Sequence, residues 1–428
     1  MNNDLLTGLL QQLDAPAARL DRLDRYYHGQ QPLAFLAPEA RAALGDRLDR
    51  LAVNIPRLLV DSIAERLRIV GFDRDDVWPA WIGSDLDQLA PLAHREALTL
   101  GTSYAVVWAH PDGRPNVSIE SPRQVTVLKD PSTRRIVAAV KRWRTDSTTE
   151  AVLYEPDRIT RYSANTVGAT TVGFHTTAVL DNPLGTVPVV AFRNSTRLLE
   201  DGRSEMEDIL GLTDALSKLT VDLMVGSEYT ARPRRWATGL ALGEDDTGEE
   251  VSPIEEGDRM MINEEPDGKF GQLPGSDLAG YETAIGTIMR QISAVSGLPE
   301  HMLGIGGDNP TSADSIRASE AALTARAEAR QAAFGRSWEQ VARLMVAVRD
   351  GIDPERVEVR VKWADPSTRS VAQEADAVTK LYSAGLLPAS TALARLGYTA
   401  DEIEEIRAAR RTEALDTAGV DVLRGLAS

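Results

Sequence analysis

Ser296-Gly297-Leu298-Pro299-Glu300-His301-Met302-Leu303-Gly304-Ile305-Gly306-Gly307-Asp308-Asn309-Pro310 is a Gly/Pro-rich loop that opens directly into a helical pattern from Thr311 to Asp350. The pattern holds no proline and one glycine, Gly335. Ile316, Leu323, Ala327, Phe334, Trp338, Val341, Met345 and Val348 recur at intervals of three, four or seven, and Thr311 with Asp314 supplies a cap-like start. At about 1.5 Å per residue the helix would be roughly 57 Å long, far beyond an ordinary globular helix. A loop mounted on such a rod points to machinery rather than to a substrate pocket.

Upstream, Leu278, Tyr281, Ile285, Ile288, Ile292 and Val295 fall at spacings of 3, 4, 3, 4 and 3, a heptad-like seam stopped by Gly297 and Pro299. A second apolar face runs from Met206 to about Tyr229, and Ser204 with Glu207 has the spacing of a capping box. Between the two lies a non-helical insert, Arg232 to Gly275. After the rod, Val357 to Trp363 is expected as a strand. Val371 to Gly385, Ser390 to Leu396 and Thr399 to Leu415 are expected as helices.

Before Gly101 the chain is expected to be helical, over Asp14–Tyr27, Pro38–Leu48, Ile55–Leu67 (Asn54 as cap, Pro56 in the first turn) and Trp78–Leu100, the last broken at Gly83 and Pro91. From Ser103 to about Arg193 the period changes. Short runs rich in Val, Ile, Thr and Tyr are separated by turn signals such as His110-Pro111-Asp112-Gly113 and Asp130-Pro131-Ser132, an antiparallel β pattern. The fold class is therefore α+β.

The 428 residues suggest two or three domains. A net charge of −17, from 64 acids against 47 bases, argues against a chain that wraps nucleic acid with its whole surface, although not against a repelling surface past which DNA slides. No cysteine is present, which excludes disulfides, thiolate metal sites and a Cys nucleophile. Met1 to Leu13 lacks the basic flank of a secretory signal, and the longest uncharged run, Tyr162 to Leu180, is Thr- and Gly-rich rather than a membrane span. A soluble intracellular origin is expected.

Enzyme motifs fail one by one. Gly304-Ile305-Gly306-Gly307 follows no clear strand and has no Lys-Ser/Thr pair, so it reads as a hinge and not a phosphate loop. His28, His94, His110, His175 and His301 show no ligand spacing. The insert is acidic, with Glu244, Asp245, Asp246, Glu249, Glu250, Glu255 and Glu256 in its middle, but it lacks the order of a calcium loop. It reads as a solvated hairpin tip, or as a docking surface for a basic partner or a lumen that repels phosphates. Arg232-Pro233-Arg234-Arg235-Trp236 is too small to be a nucleic-acid site. The rod's Arg317, Arg326, Arg330, Arg336, Arg343 and Arg349 alternate with Glu320, Glu328 and Glu339, as on a salt-bridged helix surface. No catalytic, cofactor or metal residues emerge.

The order of these parts, with Asn54-Ile55-Pro56-Arg57, Leu67-Arg68-Ile69-Val70-Gly71-Phe72, Ser296-Gly297-Leu298-Pro299, Leu303-Gly304 and Asn309-Pro310-Thr311-Ser312-Ala313-Asp314-Ser315-Ile316-Arg317, resembles the portal proteins of tailed bacteriophages in the Gp6-like branch. The resemblance implies a portal fold with an α/β wing, a two-helix stem, a small α/β clip, a long connecting helix and a short helical crown. It places the N-terminal helices and wing in residues 1–203, the stem helices in 204–231 and 277–297, the clip in 232–276 and the tunnel-loop region in 298–313. The long wing helix would be 314–350, a wing strand and return helix 351–383, and the crown 384–428.

It further implies a homododecamer at one capsid vertex, with dsDNA passing through it during packaging and ejection. Expected partners are the large terminase subunit and head-completion or adaptor proteins at the clip, with major capsid and scaffolding proteins elsewhere. The expected location is the virion, after assembly in the bacterial cytoplasm, with no membrane. Leu303, Gly304, Ile305, Gly306, Gly307, Asp308, Asn309 and Thr311 would face DNA. With Asp308 and no Lys or Arg between Met302 and Ile316, contact would be steric or polar and not ionic. The alternatives are another virion component, or a carboxylate-based hydrolase.

Overall fold

The computed structural model describes residues 2–32, 53–195, 197–231, 235–239, 243–244, 250–251, 267–272, 278–305, 313–367, 371–396, 398 and 402–412. The helix expected at Pro38–Leu48 lies outside them. The chain divides into two compact units, Met1–Pro366 and Ser367–Ser428.

In the first unit the helices are α1 (Asn2–Asp14), α2 (Ala17–Tyr27), α3 (Ile55–Ala64), α4 (Trp78–Gly83), α5 (Leu86–Leu100), α6 (Leu210–Ala231), α7 (Ala279–Ser296) and α8 (Ala313–Asp350). The β region is β2 (Thr102–Ala109), β3 (Pro115–Glu120), β4 (Val125–Lys129), β5 (Ile136–Arg144), β6 (Thr149–Tyr154), β7 (Arg158–Ala164), β8 (His175–Asp181) and β9 (Val189–Arg193). It forms two antiparallel sheets, ordered β3-β2-β9 and β4-β5-β6-β7-β8.

Alternation along the strands builds four layers. Ala105 and Val107 of β2 face the helical body, where α8 supplies Phe334, Trp338 and Val341. Tyr104 and Val106, one residue out of phase, meet Val125, Val127, Val152 and Tyr154 of the larger sheet. That sheet's other face, Ala138, Val140, Ala151 and Leu153, is covered by Leu6, Leu9 and Leu10 of α1. Buried on both sides, β2 reads as a continuous apolar run.

Several expectations change here. α5 continues through Pro91 and gives up a single backbone hydrogen bond near its start. Asn54 precedes α3 without a side-chain cap bond, while Pro56 does occupy its first turn. The strand expected at Val357–Trp363 is only β14, Val361–Trp363, because Pro354–Arg356 forms a 3-10 turn before it. β14 pairs antiparallel with β1, Ile69–Phe72, nearly three hundred residues earlier.

α8 is a 38-residue helix that runs through the core. Leu323, Ala327, Phe334, Trp338, Val341 and Met345 are buried as the spacing predicts, and its last turns also bury Ala342, Leu344, Val346 and Ala347. Trp338 packs its ring 4.4 Å from Phe192 and 4.9 Å from Trp81, centroid to centroid, and its Nε1 donates to His94 Nε2 at 2.7 Å. His94 is fully buried and stacks on Phe334.

Burial holds the His94 imidazole down to about 3. The folded value lies below the unfolded value of about 6.5, so the unfolded chain takes up the proton first. The stability linked to neutral His94 is complete above about pH 6.5 and is lost as pH falls toward 3. At pH 5 the loss is about 2 kcal/mol. Urea midpoints at pH 7 and pH 5 check this. The difference should shrink in His94→Gln, and an unchanged difference would refute the assignment.

The second unit contains α9 (Val371–Ser383), α10 (Ala389–Arg395) and a helix over residues 402–412. Val378 and Ala392 are buried within it.

Candidate functional site

The stretch that joins α7 to α8 is anchored in the core. α7 ends at Gly297, whose φ of +74° is left-handed and whose hypothetical Cβ would lie 3.2 Å from Arg326 Nε. Ser293 Oγ donates to the Leu298 carbonyl at 2.7 Å, and Leu298 N donates to Ser296 Oγ at 3.1 Å. Arg326, on α8, donates to the Val295 carbonyl at 2.7 Å, a cation placed at a helix C-terminus. Glu300–Leu303 then forms one 3-10 turn closed by Gly304.

Leu298 and Leu303 are buried in the main core, and Ile305 packs against it. Leu303, one of the residues expected to face DNA, is buried, its side chain the apolar foot of the turn. Gly304 is exposed. Gly306, Gly307, Asp308, Asn309 and Thr311 lie outside the described residues.

α6 begins at Leu210, six residues after the expected start. Ser204 is not a helix cap: its hydroxyl donates to the Leu98 carbonyl at 3.3 Å and accepts from Met206 N at 3.2 Å. Glu207, instead of reaching back to Ser204, takes Arg19 and Arg203. Between them sits Glu205, which the sequence reading passed over. It is buried and accepts from Arg330 Nε of α8 at 2.7 Å, with Arg326 Nη1 3.6 Å away. The spacing of Arg326 and Arg330, one turn apart on α8, was the signal available.

The rod's charges therefore do not simply pair along its own surface. Glu320 takes Arg66 at 3.2 Å, with His301 Nε2 at 3.7 Å. Glu339 takes Arg336 on the same helix at 3.0 Å and Arg360 at 3.4 Å. Arg349 reaches Asp76 at 2.7 Å, and Arg74 with Arg349 holds the Asp76 carboxyl well below the usual range. Most of these pairs tie α8 to other elements, because Glu320, Arg330, Glu339 and Arg349 lie where those elements pack against it.

α6 and α7 pack together, and a Cβ at Gly226 would touch Leu278 Cδ2 at 3.2 Å. Along the seam, Ile292 is buried, Leu278, Tyr281, Ile285 and Ile288 are half-buried, and Val295 is exposed. The insert beyond them carries β10 (Arg235–Thr238) paired with β13 (Lys269–Gln272), and β11 (Gly243–Glu244) paired with β12 (Glu250–Val251). Trp236 lies over Gly271, where any Cβ would clash at 2.3 Å. Glu244 stands opposite Glu250 in the register. Asp245, Asp246, Glu249, Glu255 and Glu256 lie outside the described residues.

Among the described residues, no group of three His, Asp or Glu side chains is placed to hold a metal ion, and no helix is long and apolar enough to cross a membrane. The geometry of the described residues around α6, α7 and α8 joins and braces elements.

The chain matches the family described as "Phage portal protein, SPP1 Gp6-like" over residues 9–415. It is 33% identical over 384 residues to the portal protein of Mycobacterium phage D29, covering 83% of this chain and 78% of that protein. To the portal protein of Mycobacterium phage L5 it is 32% identical over 385 residues, with the same coverage. Among solved structures it is similar to a chain of the virion of a native gene transfer agent particle, at 16% identity and TM-score 0.47, covering 89% of this chain and 93% of that one. A chain from the neck of the native particle, computed with C12 symmetry, gives 15% identity and TM-score 0.48, with 86% and 96% covered. The protein belongs to the SPP1 Gp6-like family of phage portal proteins, which are structural components of the virion and not enzymes.

Proposed function

We propose that this chain is the repeating unit of a dodecameric ring at one capsid vertex, serving as the channel for dsDNA packaging and ejection. The observation that carries the reading is the family match along nearly the whole chain, from residue 9 to 415. In this reading the β region is the wing, α6 and α7 the stem, the insert the clip that docks terminase and later head-completion proteins, and the second unit contains the crown. The exposed edge of the α7 seam, at Val295, fits contact with a neighbouring stem. The loop after Ile305 departs from a footing fixed by Leu298 and Leu303, and it meets DNA through Gly306 to Thr311 without ion pairs. A ring structure with a basic girdle at its narrowest point would sink that last element.

The expected assembly has a mass of about 560 kDa, twelve chains of 46.5 kDa. Light scattering with negative-stain imaging checks it. Rings of about a dozen subunits support the reading, and a uniform population of single chains or pairs overturns it.

A further inference from the structure

In β4 the residues on the inter-sheet face are Val125, Val127 and then Lys129. The two valines are buried between the sheets. Lys129 carries its ammonium to the rim of that layer, half-buried. There the sheets and the α1–α2 turn do not close, and a cleft of about 630 Å³ opens between them, the size of an ordinary ligand site. Leu13, Leu20, Tyr104, Val125 and Val127 line its apolar part, and Lys129 and Arg193, with Asp201 beside them, its charged end.

The charges at this end are unbalanced. Arg193 already donates to the Glu200 carbonyl and pairs with Asp201, each at 2.7 Å. Arg19, also on the wall, pairs with Glu207. Among the described residues Lys141, Lys218 and Lys380 have carboxylate partners, and Lys129 has none. Burial, and then Arg193, push the Lys129 amine down to about 8. An ammonium set against an apolar wall beside a second cation is half of a site.

We propose that this cleft binds a carboxylate carried on an apolar body, with Lys129 as the anchor for the charge and the Leu13–Val127 wall against the rest. A bare phosphate or sulfate would answer the charge but leave the wall wet. The carboxylate can come from a free organic acid or from an acidic side chain in an apolar protein segment. The cleft lies within one chain, so the proposal stands apart from the ring.

The test uses the full chain and its six lysines. Acetylation of each lysine is followed by mass spectrometry at pH 7.5 with 4-phenylbutyrate, its neutral amide, inorganic phosphate, or the capped peptide acetyl-Leu-Glu-Leu-amide. The expected result is at least fivefold protection of Lys129 by the acid or the peptide, with Lys141, Lys218 and Lys380 unchanged. Protection by the acid alone assigns a free ligand, and protection by the peptide alone assigns a protein segment. Calorimetry on Lys129→Met should show at least tenfold weaker binding at an unchanged melting temperature. Equal protection by the amide or by phosphate, or no protection by any probe, overturns the proposal.

Discussion

Trp338→Ala lowers the stability of the first unit by about 3–5 kcal/mol, the range for removing a large buried aromatic side chain. The side chain is fully buried, and its ring fills the space where α4, α5, β9 and α8 converge. Truncation opens a cavity bounded by Trp81, Phe192 and His94. It also removes the Trp338 Nε1 donor to His94 Nε2, leaving a buried acceptor without that partner. Trp338→Phe separates the two effects: it keeps most of the packing and loses the N–H, at a cost of about 1–3 kcal/mol. Urea denaturation of both variants is the measurement. A Trp338→Ala loss below about 1 kcal/mol, typical of surface sites, would show that α8 is not the central support described above.

Glu205→Ala is expected to cost about 3–5 kcal/mol, because it leaves the Arg330 guanidinium buried without its counter-charge. The side chains of Glu205 and Arg330 are 5% and 11% exposed, so solvent does little to compensate. The pair joins the segment before α6 to α8, and losing it frees the base of α6 from the helix that carries the joining loop. The double variant Glu205→Leu with Arg330→Met should recover most of the loss, since an apolar pair carries no desolvation penalty. Thermal denaturation of the two single variants and the double closes the cycle. Strictly additive losses would mean the two residues are not coupled.

The pattern along each strand, two-residue alternation or a doubly buried run, is local information, and the β region from Ser103 to Arg193 was legible for that reason. α8 was legible because its apolar spacing is uninterrupted by proline. What escaped the sequence depends on remote partners. Leu6, Leu9 and Leu10 of α1 are spaced for a helix face, but that face exists only because a sheet more than a hundred residues later lies under it. β1 carries too few residues to announce itself before β14 pairs with it. Alternating charges on α8 suggested pairing along the helix, whereas Glu320 and Arg330 find partners 254 and 125 residues away. Leu303 looked like part of an exposed loop because glycines follow it, and nothing local shows that the core reaches up to meet it.

Gly101 and Gly202 touch backbone to backbone: a Cβ at Gly202 would sit 2.3 Å from the Gly101 carbonyl oxygen, and both residues hold positive φ. The intervening hundred residues thus leave the helical body and return to it at one point. A segment with coincident ends is an insertion in the topological sense, a cassette whose interior can lengthen, shorten or diverge while the frame around it keeps its spacing. The five-stranded meander lies inside that cassette, and the two glycines are the point at which the cassette closes on the frame.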